Sequence, residues 1–411
     1  MSEARERAEY ASLIAKGFTE WVPGRCSPNA PVAQVIDMFS GCGGMSLGFA
    51  ALAQLTGAFR LIGAADINDT SLATYTRNHG VPALHRDMRL LAGDRDALKE
   101  FLTELDGYDP AEPLVLIGCA PCQGFTAHRK KNWDAVDDRN NLVSAFADVA
   151  AALAPDCVIM ENVPEMLSGR YWPYFEQFRD RMQSEGYTVK QAIHNAAEYG
   201  APQERFRALV IAMRKPDFSM PRPILQPDEF RTVRDAIGDL TPIAAGKRLA
   251  SDPMHHSASH RASTLDVIRA VPKDGGNRPA DVGPDCLRRV KGFYDVYGRL
   301  AWDRPAITIT HYARNPASGR FTHPEQHRGL TQREAARLQG FPDTFEFTGS
   351  FDDVFRQIGE AVPPPMSLAV AGATLANILD ENHDSRLDDV VLSPVNDSFA
   401  GVIAGIKARR R

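Results

Sequence analysis

The sequence predicts an α/β fold: an open, mostly parallel sheet with helices along it, followed by a second domain of irregular loops. Three observations lead there. Apolar runs of strand length, such as Val35-Ile36-Asp37-Met38-Phe39, Leu114-Val115-Leu116-Ile117 and Cys157-Val158-Ile159-Met160, read as strands buried on both faces. Loops bearing glycine, proline, cysteine or a carboxylate follow these runs, and ligands and reacting groups collect at the carboxyl ends of such strands. From Pro216 the texture changes, with prolines, glycines and histidines crowding residues 216–325 and little helical periodicity outside Ala262–Ala270.

Composition sets outer bounds. A chain of 411 residues, 44% hydrophobic and 24% charged, is that of an ordinary globular protein with room for about two or three domains. No apolar run reaches the roughly 18 residues of a membrane span, and Met1-Ser2-Glu3-Ala4-Arg5-Glu6-Arg7 lacks a signal-peptide core. No membrane association is expected. The six cysteines, Cys26, Cys42, Cys119, Cys122, Cys157 and Cys286, are too sparse for a disulfide scaffold; reduced thiols and a cytoplasmic location are expected. Net charge is −5, but residues 216–350 carry 19 Lys+Arg against 16 Asp+Glu and six of the eleven histidines. That describes a neutral-to-basic lobe on an acidic body.

Residues 1–33 pass through Val22-Pro23-Gly24 and Ser27-Pro28-Asn29-Ala30-Pro31 and read as an extension. The first strand feeds Ser40-Gly41-Cys42-Gly43-Gly44 straight into a helix from Met45. Glycines let backbone approach a ligand, and a helix N-terminus favours negative groups. No Gly-Lys-Ser/Thr follows, so this is no phosphate loop, and Ser46 stands where G-x-G-x-x-G needs its third glycine. A nucleotide-like ligand other than NAD is expected. The second strand, Leu61-Ile62-Gly63-Ala64-Ala65, ends at Asp66, whose carboxylate can accept both hydroxyls of a ribose. Asp87, after Leu84-His85-Arg86, ends a third strand within reach of an adenine edge.

The next strand delivers Gly118-Cys119-Ala120-Pro121-Cys122-Gln123-Gly124. Pro121 stiffens this loop, and Cys122 reads either as a nucleophile or as a buried structural thiol. Arg129-Lys130-Lys131 follow, and Asp138-Arg139-Asn140-Asn141 opens a helix to Ala154. Glu161-Asn162-Val163-Pro164 closes the strand after that. A carboxylate there is costly without a partner, which makes Glu161 a candidate acid or hydrogen-bonding group with a raised pKa. Alternation along Gln203-Glu204-Arg205-Phe206-Arg207 sends Gln203, Arg205 and Arg207 to one side, where two guanidinium forks converge. Ala306-Ile307-Thr308-Ile309-Thr310 is a strand, and Thr331 with Glu334 forms a capping box. A small-residue helix opens at Gln357-Ile358-Gly359-Glu360-Ala361 and runs to about Leu379, before a polar, loosely ordered tail.

Taken together, six stretches in this order resemble the DNA cytosine-5 methyltransferases over residues 34–380. They are Asp37-Met38-Phe39-Ser40-Gly41-Cys42-Gly43-Gly44, Pro121-Cys122-Gln123, Glu161-Asn162-Val163, Gln203-Glu204-Arg205-Phe206-Arg207, Arg333-Glu334-Ala335-Ala336-Arg337-Leu338-Gln339-Gly340-Phe341-Pro342 and Gln357-Ile358-Gly359. The resemblance implies a doubly wound, Rossmann-like, S-adenosylmethionine-dependent catalytic domain over residues 34–215, completed by 351–380. A target-recognition domain over 216–350, an extension over 1–33 and a tail over 381–411 complete the expected organisation. Double-stranded DNA is the implied partner and S-adenosylmethionine the cofactor, with S-adenosylhomocysteine as product and no metal. A monomer on DNA, nucleoid-associated in the cytoplasm and paired with a restriction or defence system, is the matching expectation.

Residue by residue, the resemblance implies that Cys122 attacks C6 of cytosine, Glu161 bonds N3 and the exocyclic amine, Arg207 meets O2 and Arg205 supports it. The cofactor falls to Phe39, Ser40, Gly41, Gly43 and Gly44, with Asp66 on the ribose, Ile67 on the adenine face and Asp87 on its amine. Met88, Pro121, Leu142, Glu360 and Ala361 complete that set. Gln123, Arg129, Lys130, Gln203 and Thr308 are the implied DNA contacts, with the loop from Gly124 to about Asn141 closing over a flipped base. Glu360 stands where the family carries Asn, and the recognition region is short, which implies a short target. Other readings are a zinc or dithiol site at Cys119-x-x-Cys122, a catalytically silent nucleic-acid-binding protein, and an RNA cytosine-5 methyltransferase on the same fold.

Overall fold

The computed structural model describes residues 18, 20–24, 31–121, 141–289 and 295–379. These form two compact units: the described residues up to 195 with 206–223 and 366–379, and residues 196–205 with 224–365. Strands are β1 (Ala33–Met38), β2 (Phe59–Asp66), β3 (Ala83–His85), β4 (Leu114–Gly118), β5 (Cys157–Asn162), β6 (Thr188–Asn195), β7 (Gln203–Glu204), β8 (Phe206–Met213) and β9 (Ala306–Ile307).

The first unit is the doubly wound, mostly parallel sheet that the sequence predicts, in the order β3-β2-β1-β4-β5-β8-β6. Every pairing from β3 to β5 is parallel; β8 alone runs antiparallel to its neighbours β5 and β6. Helices α1 (Gly44–Thr56), α2 (Asp69–His79), α3 (Met88–Gly93), α4 (Arg95–Thr103), α5 (Asn141–Leu153) and α6 (Trp172–Ser184) connect the strands. The chain winds from β1 out to β3, then returns to lay β4 on the other side of β1, with Met38 opposite Gly118. The loops leaving β1 and β4 therefore part at a topological switch point, where open sheets bind ligands.

Burial fixes this arrangement. All of β1 and β4 is buried, and Ile36, Ile62, Leu116, Val158 and Val210 share one core with Phe101, Phe146, Phe175 and Phe178. Each fully buried phenylalanine contributes about 2 kcal/mol from removed apolar surface. Gly118 is required by that packing, because a Cβ there would lie 2.6 Å from the Phe146 ring.

The second unit holds α7 (Val233–Ile237), α8 (Ala262–Ala270), α9 (Asp285–Arg289), α10 (Gln332–Gln339) and α11 (Phe351–Glu360), while α12 (Pro364–Ile378) belongs to the sheet unit from Met366 onward. Its named strands are β7 and β9, two residues each, paired in parallel. With so little ladder, backbone carbonyls need other donors. Buried arginines provide them. Arg299, fully buried, donates to the carbonyls of Ile268, Val271, His323 and Gln326 at 2.7–3.1 Å. Arg328 makes two 2.7 Å bonds to Glu334 and one of 3.0 Å to the Ile243 carbonyl. Burial alone would raise the Glu334 carboxyl, but the Arg328 guanidinium brings it down to about 2.

Several local expectations are corrected. The third strand stops at His85, and Asp87 instead caps α3. The strand expected over residues 306–310 is ladder only at Ala306–Ile307. The final helix is two, α11 and α12, because Pro363 and Pro364 permit a helix start but not a helix interior. The single alternating strand through Arg207 is broken at Arg205: Gln203 and Glu204 pair with β9, whereas Phe206 opens β8 in the large sheet. Gln203 and Arg207 therefore do not share a strand face. Among the described residues no helix is long and apolar enough to cross a membrane.

Replacing Arg299 with Lys keeps the charge but cannot reach four carbonyls from one head group. A loss of about 3 kcal/mol is expected in urea unfolding; a wild-type midpoint would show that these carbonyls find other donors.

Candidate active site

Two loops define the site's floor. The chain leaves β1 at Phe39 with φ of 55°, a left-handed conformation costly for a bulky residue. The turn continues through Gly41 at 51° and Gly43 at 90°. Around Gly41 a Cβ would meet nothing within 4 Å, so the backbone is open to close approach. Gly43 is the opposite case: a Cβ would lie 2.3 Å from His79 Nε2 and 2.9 Å from Tyr75. Gly43 offers α1 no side-chain cap, and the first turn carries no acidic residue, so its amides and dipole suit an anionic group.

Asp66 ties this turn to the end of β2. Its Oδ2 accepts from the Gly41 amide and its Oδ1 from the Asn68 amide, both at 2.9 Å. Ile67, beside it, is 64% exposed, a large apolar face not absorbed by the core. Asp87 accepts from the Arg89 amide at 2.9 Å and pairs with its guanidinium, a hydrogen bond that holds the carboxyl below its usual range. Met88 packs in the core at 2% exposure, while Pro121 and Leu142 are half-buried.

Under the turn lies Asp37, fully buried. Ser46 Oγ donates to its Oδ2 at 2.6 Å, and its Oδ1 has no hydrogen-bond partner among the described residues. Burial raises the Asp37 carboxyl to about 8, with the Ser46 bond opposing and the Asp66 charge adding.

The loop after β4 starts where the Cys119 amide donates to Met38 O at 3.2 Å, and Asn162 Nδ2 holds Ala120 O at 3.2 Å. Burial, and then the negative charge of Glu161, push the Cys119 thiol well above its usual value. A thiol held protonated is a poor nucleophile and a poor half of a dithiol couple. Beside it, at the end of β5, the Glu161 carboxylate meets Arg207 Nε at 2.7 Å, both side chains largely buried. Cys122, Gln123, Arg129 and Lys130, with the closing loop expected from Gly124, lie outside the described residues.

Other candidates sit in the second unit. Gln203 is fully buried; its amide nitrogen donates to Leu338 O and Gln339 Oε1, and its oxygen accepts from the Ile309 amide. Arg205, 2% exposed, donates to the carbonyls of Ile309, Gly359 and Ala361. These two side chains hold backbone together in place of the contacts expected of them. Thr308 Oγ1 donates to Glu204 O at 3.0 Å, Glu360 is exposed at the end of α11, and Ala361 is buried with its carbonyl engaged. The sequence did not single out Asp37 or its partners; a carboxylate inside an apolar strand was the available signal.

The family model described as C-5 cytosine-specific DNA methylase matches residues 33–376. The chain is 30% identical over 374 residues to the Type II methylase M.HgiDII of Herpetosiphon aurantiacus, covering 88% of this chain and all of that one. It is 33% identical over 344 residues to the Type II methyltransferase M1.HphI of Haemophilus parahaemolyticus, covering 83% and 86%. A solved E. coli prophage structure, described as a DNA modification methyltransferase, is similar in fold, with a TM-score of 0.63 at 24% identity over 85% of this chain and all of that one.

Because the folded state keeps the Asp37 proton up to about pH 8 while an unfolded carboxyl loses it near 4, protonated Asp37 favours folding at low pH. That contribution is whole below pH 4 and lost as pH rises through 8, at up to about 1.4 kcal/mol per pH unit. Asp37→Asn is expected to flatten this part of the stability profile in urea unfolding from pH 5 to 9. Parallel profiles for the two proteins would refute it.

Proposed function

The chain belongs to the C-5 cytosine-specific DNA methylase family, and on that footing we propose that Cys122 is its nucleophile while Glu161 and Arg207 hold the target base. The protein is a DNA cytosine-5 methyltransferase. One observation carries the assignment of roles: a carboxylate and a guanidinium 2.7 Å apart at the end of β5, alongside the strand whose loop runs on to Cys122.

Cytosine C5 is too weakly nucleophilic to take a methyl group unaided. The Cys122 thiolate adds to C6, and the displaced electron pair moves through C5 and C4 toward N3. Glu161 hydrogen-bonds N3 and the exocyclic amine as charge gathers there, and Arg207 does the same at O2. C5 is then enamine-like and nucleophilic. Bound S-adenosylmethionine supplies an electrophilic sulfonium methyl. Removal of the C5 proton returns its electron pair to the ring and expels Cys122. The base must first leave the duplex, at a cost of a few kcal/mol.

The donor set fits that cofactor. Asp66 would take the ribose hydroxyls, exposed Ile67 an adenine face, and the uncapped start of α1 with open Gly41 the methionine carboxylate. Phe39, Ser40, Gly44, Pro121 and Leu142 would line the same end of the sheet. Residues 216–350 would read base edges through the major groove, with Gln123, Arg129, Lys130 and Thr308 on the DNA. Relatives named as Type II methylases favour a partnership with a restriction system. A monomer acting on nucleoid DNA in the cytoplasm completes the reading.

Duplex DNA containing 5-fluorocytosine should trap a covalent adduct, since fluorine cannot leave as the proton does. Cys122→Ala should form none yet still bind DNA, and near-normal turnover by this variant would sink the covalent scheme. Labelled methyl transfer to tRNA but not to duplex DNA would favour the RNA reading instead. Glu161→Gln is expected to lower kcat about 100-fold with the Kd for DNA within a few-fold; an effect on DNA affinity alone would assign Glu161 to binding.

A further inference from the structure

The glycine turn is braced from beneath by side chains that lead to a segment ahead of β1. Trp21 is 2% exposed although it lies well before the first strand. Its neighbours fasten it in place. The Val22 amide donates to Gln54 Oε1 at 3.0 Å and Gln54 Nε2 returns a 2.7 Å bond to Val22 O, tying the segment to α1. The Gly24 amide donates to Asn78 O at 2.7 Å, tying it to α2. Gly24 lies so near Gly80 that a Cβ on Gly80 would stand 3.0 Å from Gly24 Cα. Residues 20–24 thus form a strap across both helices.

Beneath the strap, the Trp21 ring lies 6.4 Å from that of His79, and the His79 ring lies 4.5 Å from that of Tyr75. Both lower rings reach the turn. His79 Nε2 is 3.2 Å from Gly43 O, and a carbonyl only accepts, so Nε2 carries the proton. Burial brings the His79 imidazole down to about 4, so it is neutral at physiological pH. Tyr75 OH lies 2.8 Å from Ser46 Oγ, which in turn donates to Asp37. The two rings also fill the space a Gly43 side chain would need.

We infer that Trp21 is a positioning residue for methyl transfer: through His79 and Tyr75 it holds the Gly43 turn in the left-handed shape that receives the cofactor. This rests on the reading of the turn as the cofactor's seat. The contacts favour an effect on binding over one on chemistry, because they meet the turn and α1, whereas Glu161 and Arg207 have their own partners on β5 and β8.

The test uses the full chain. Calorimetry with S-adenosylmethionine and S-adenosylhomocysteine should give Trp21→Ala about tenfold weaker affinity for both, which is about 1.4 kcal/mol. KM for the cofactor should rise in step, with kcat within twofold and DNA affinity unchanged. Trp21→Phe should restore most of the loss. Gln54→Ala, which loosens the strap without opening a cavity, should shift affinity two- to threefold the same way and serves if Trp21→Ala does not fold. Wild-type cofactor affinity in the folded variants, whatever their melting temperature, would overturn the inference. A wild-type protein that binds neither ligand would instead overturn the reading of the turn itself.

Discussion

Burying Glu161 at the end of β5 obliges a cation to stand beside it, and the direction of β8 provides one. Asn162 is in register with Ala208 because β8 runs against β5. An antiparallel strand begins where its parallel neighbours finish, so Arg207, the second residue of β8, reaches the second-last residue of β5. A parallel strand would have brought its far end there. Removing one member of such a pair leaves an uncompensated charge, at about 3–5 kcal/mol. One reversed strand thus serves the sheet's stability and, in the proposed mechanism, places two polar groups against the same base.

The turn after β1 shows the complementary logic. It is open above Gly41 and crowded below Gly43, so backbone is offered on one side and held on the other. Asp66 spans from the next strand to the Gly41 amide and keeps that turn in register with the end of β2. Cys119 is kept protonated by burial and then by the charge of Glu161, and this separates its chemistry from that proposed for Cys122.

Strands buried on both faces leave a plain mark in the sequence. The runs at Val35, Leu114 and Cys157 were legible for that reason, as was the capping box at Thr331, whose two bonds form as its spacing predicts. The hairpin partner β6, Thr188–Asn195, was missed because half of it is only partly buried and carries Lys190 and Gln191. Arg205 was misjudged for a physical reason: alternation says which side a residue takes only while one strand continues. Here the chain changes sheets at that residue. Asp66, Glu161 and Arg207 stood out in the sequence because carboxylates and guanidiniums at strand ends are costly to place idly. The Trp21 strap could not be found this way, since its contacts join residues with no shared period.

The second unit's guanidinium props have a bearing on heredity. In a pleated ladder, inserting one residue shifts every partner downstream. Where Arg299 and Arg328 grip carbonyls from scattered stretches of chain, each connection is local, and a segment between two props can lengthen or change without disturbing the others. Such an architecture tolerates inherited changes in the segments between props while the skeleton is kept, provided the gripping arginines themselves are left alone.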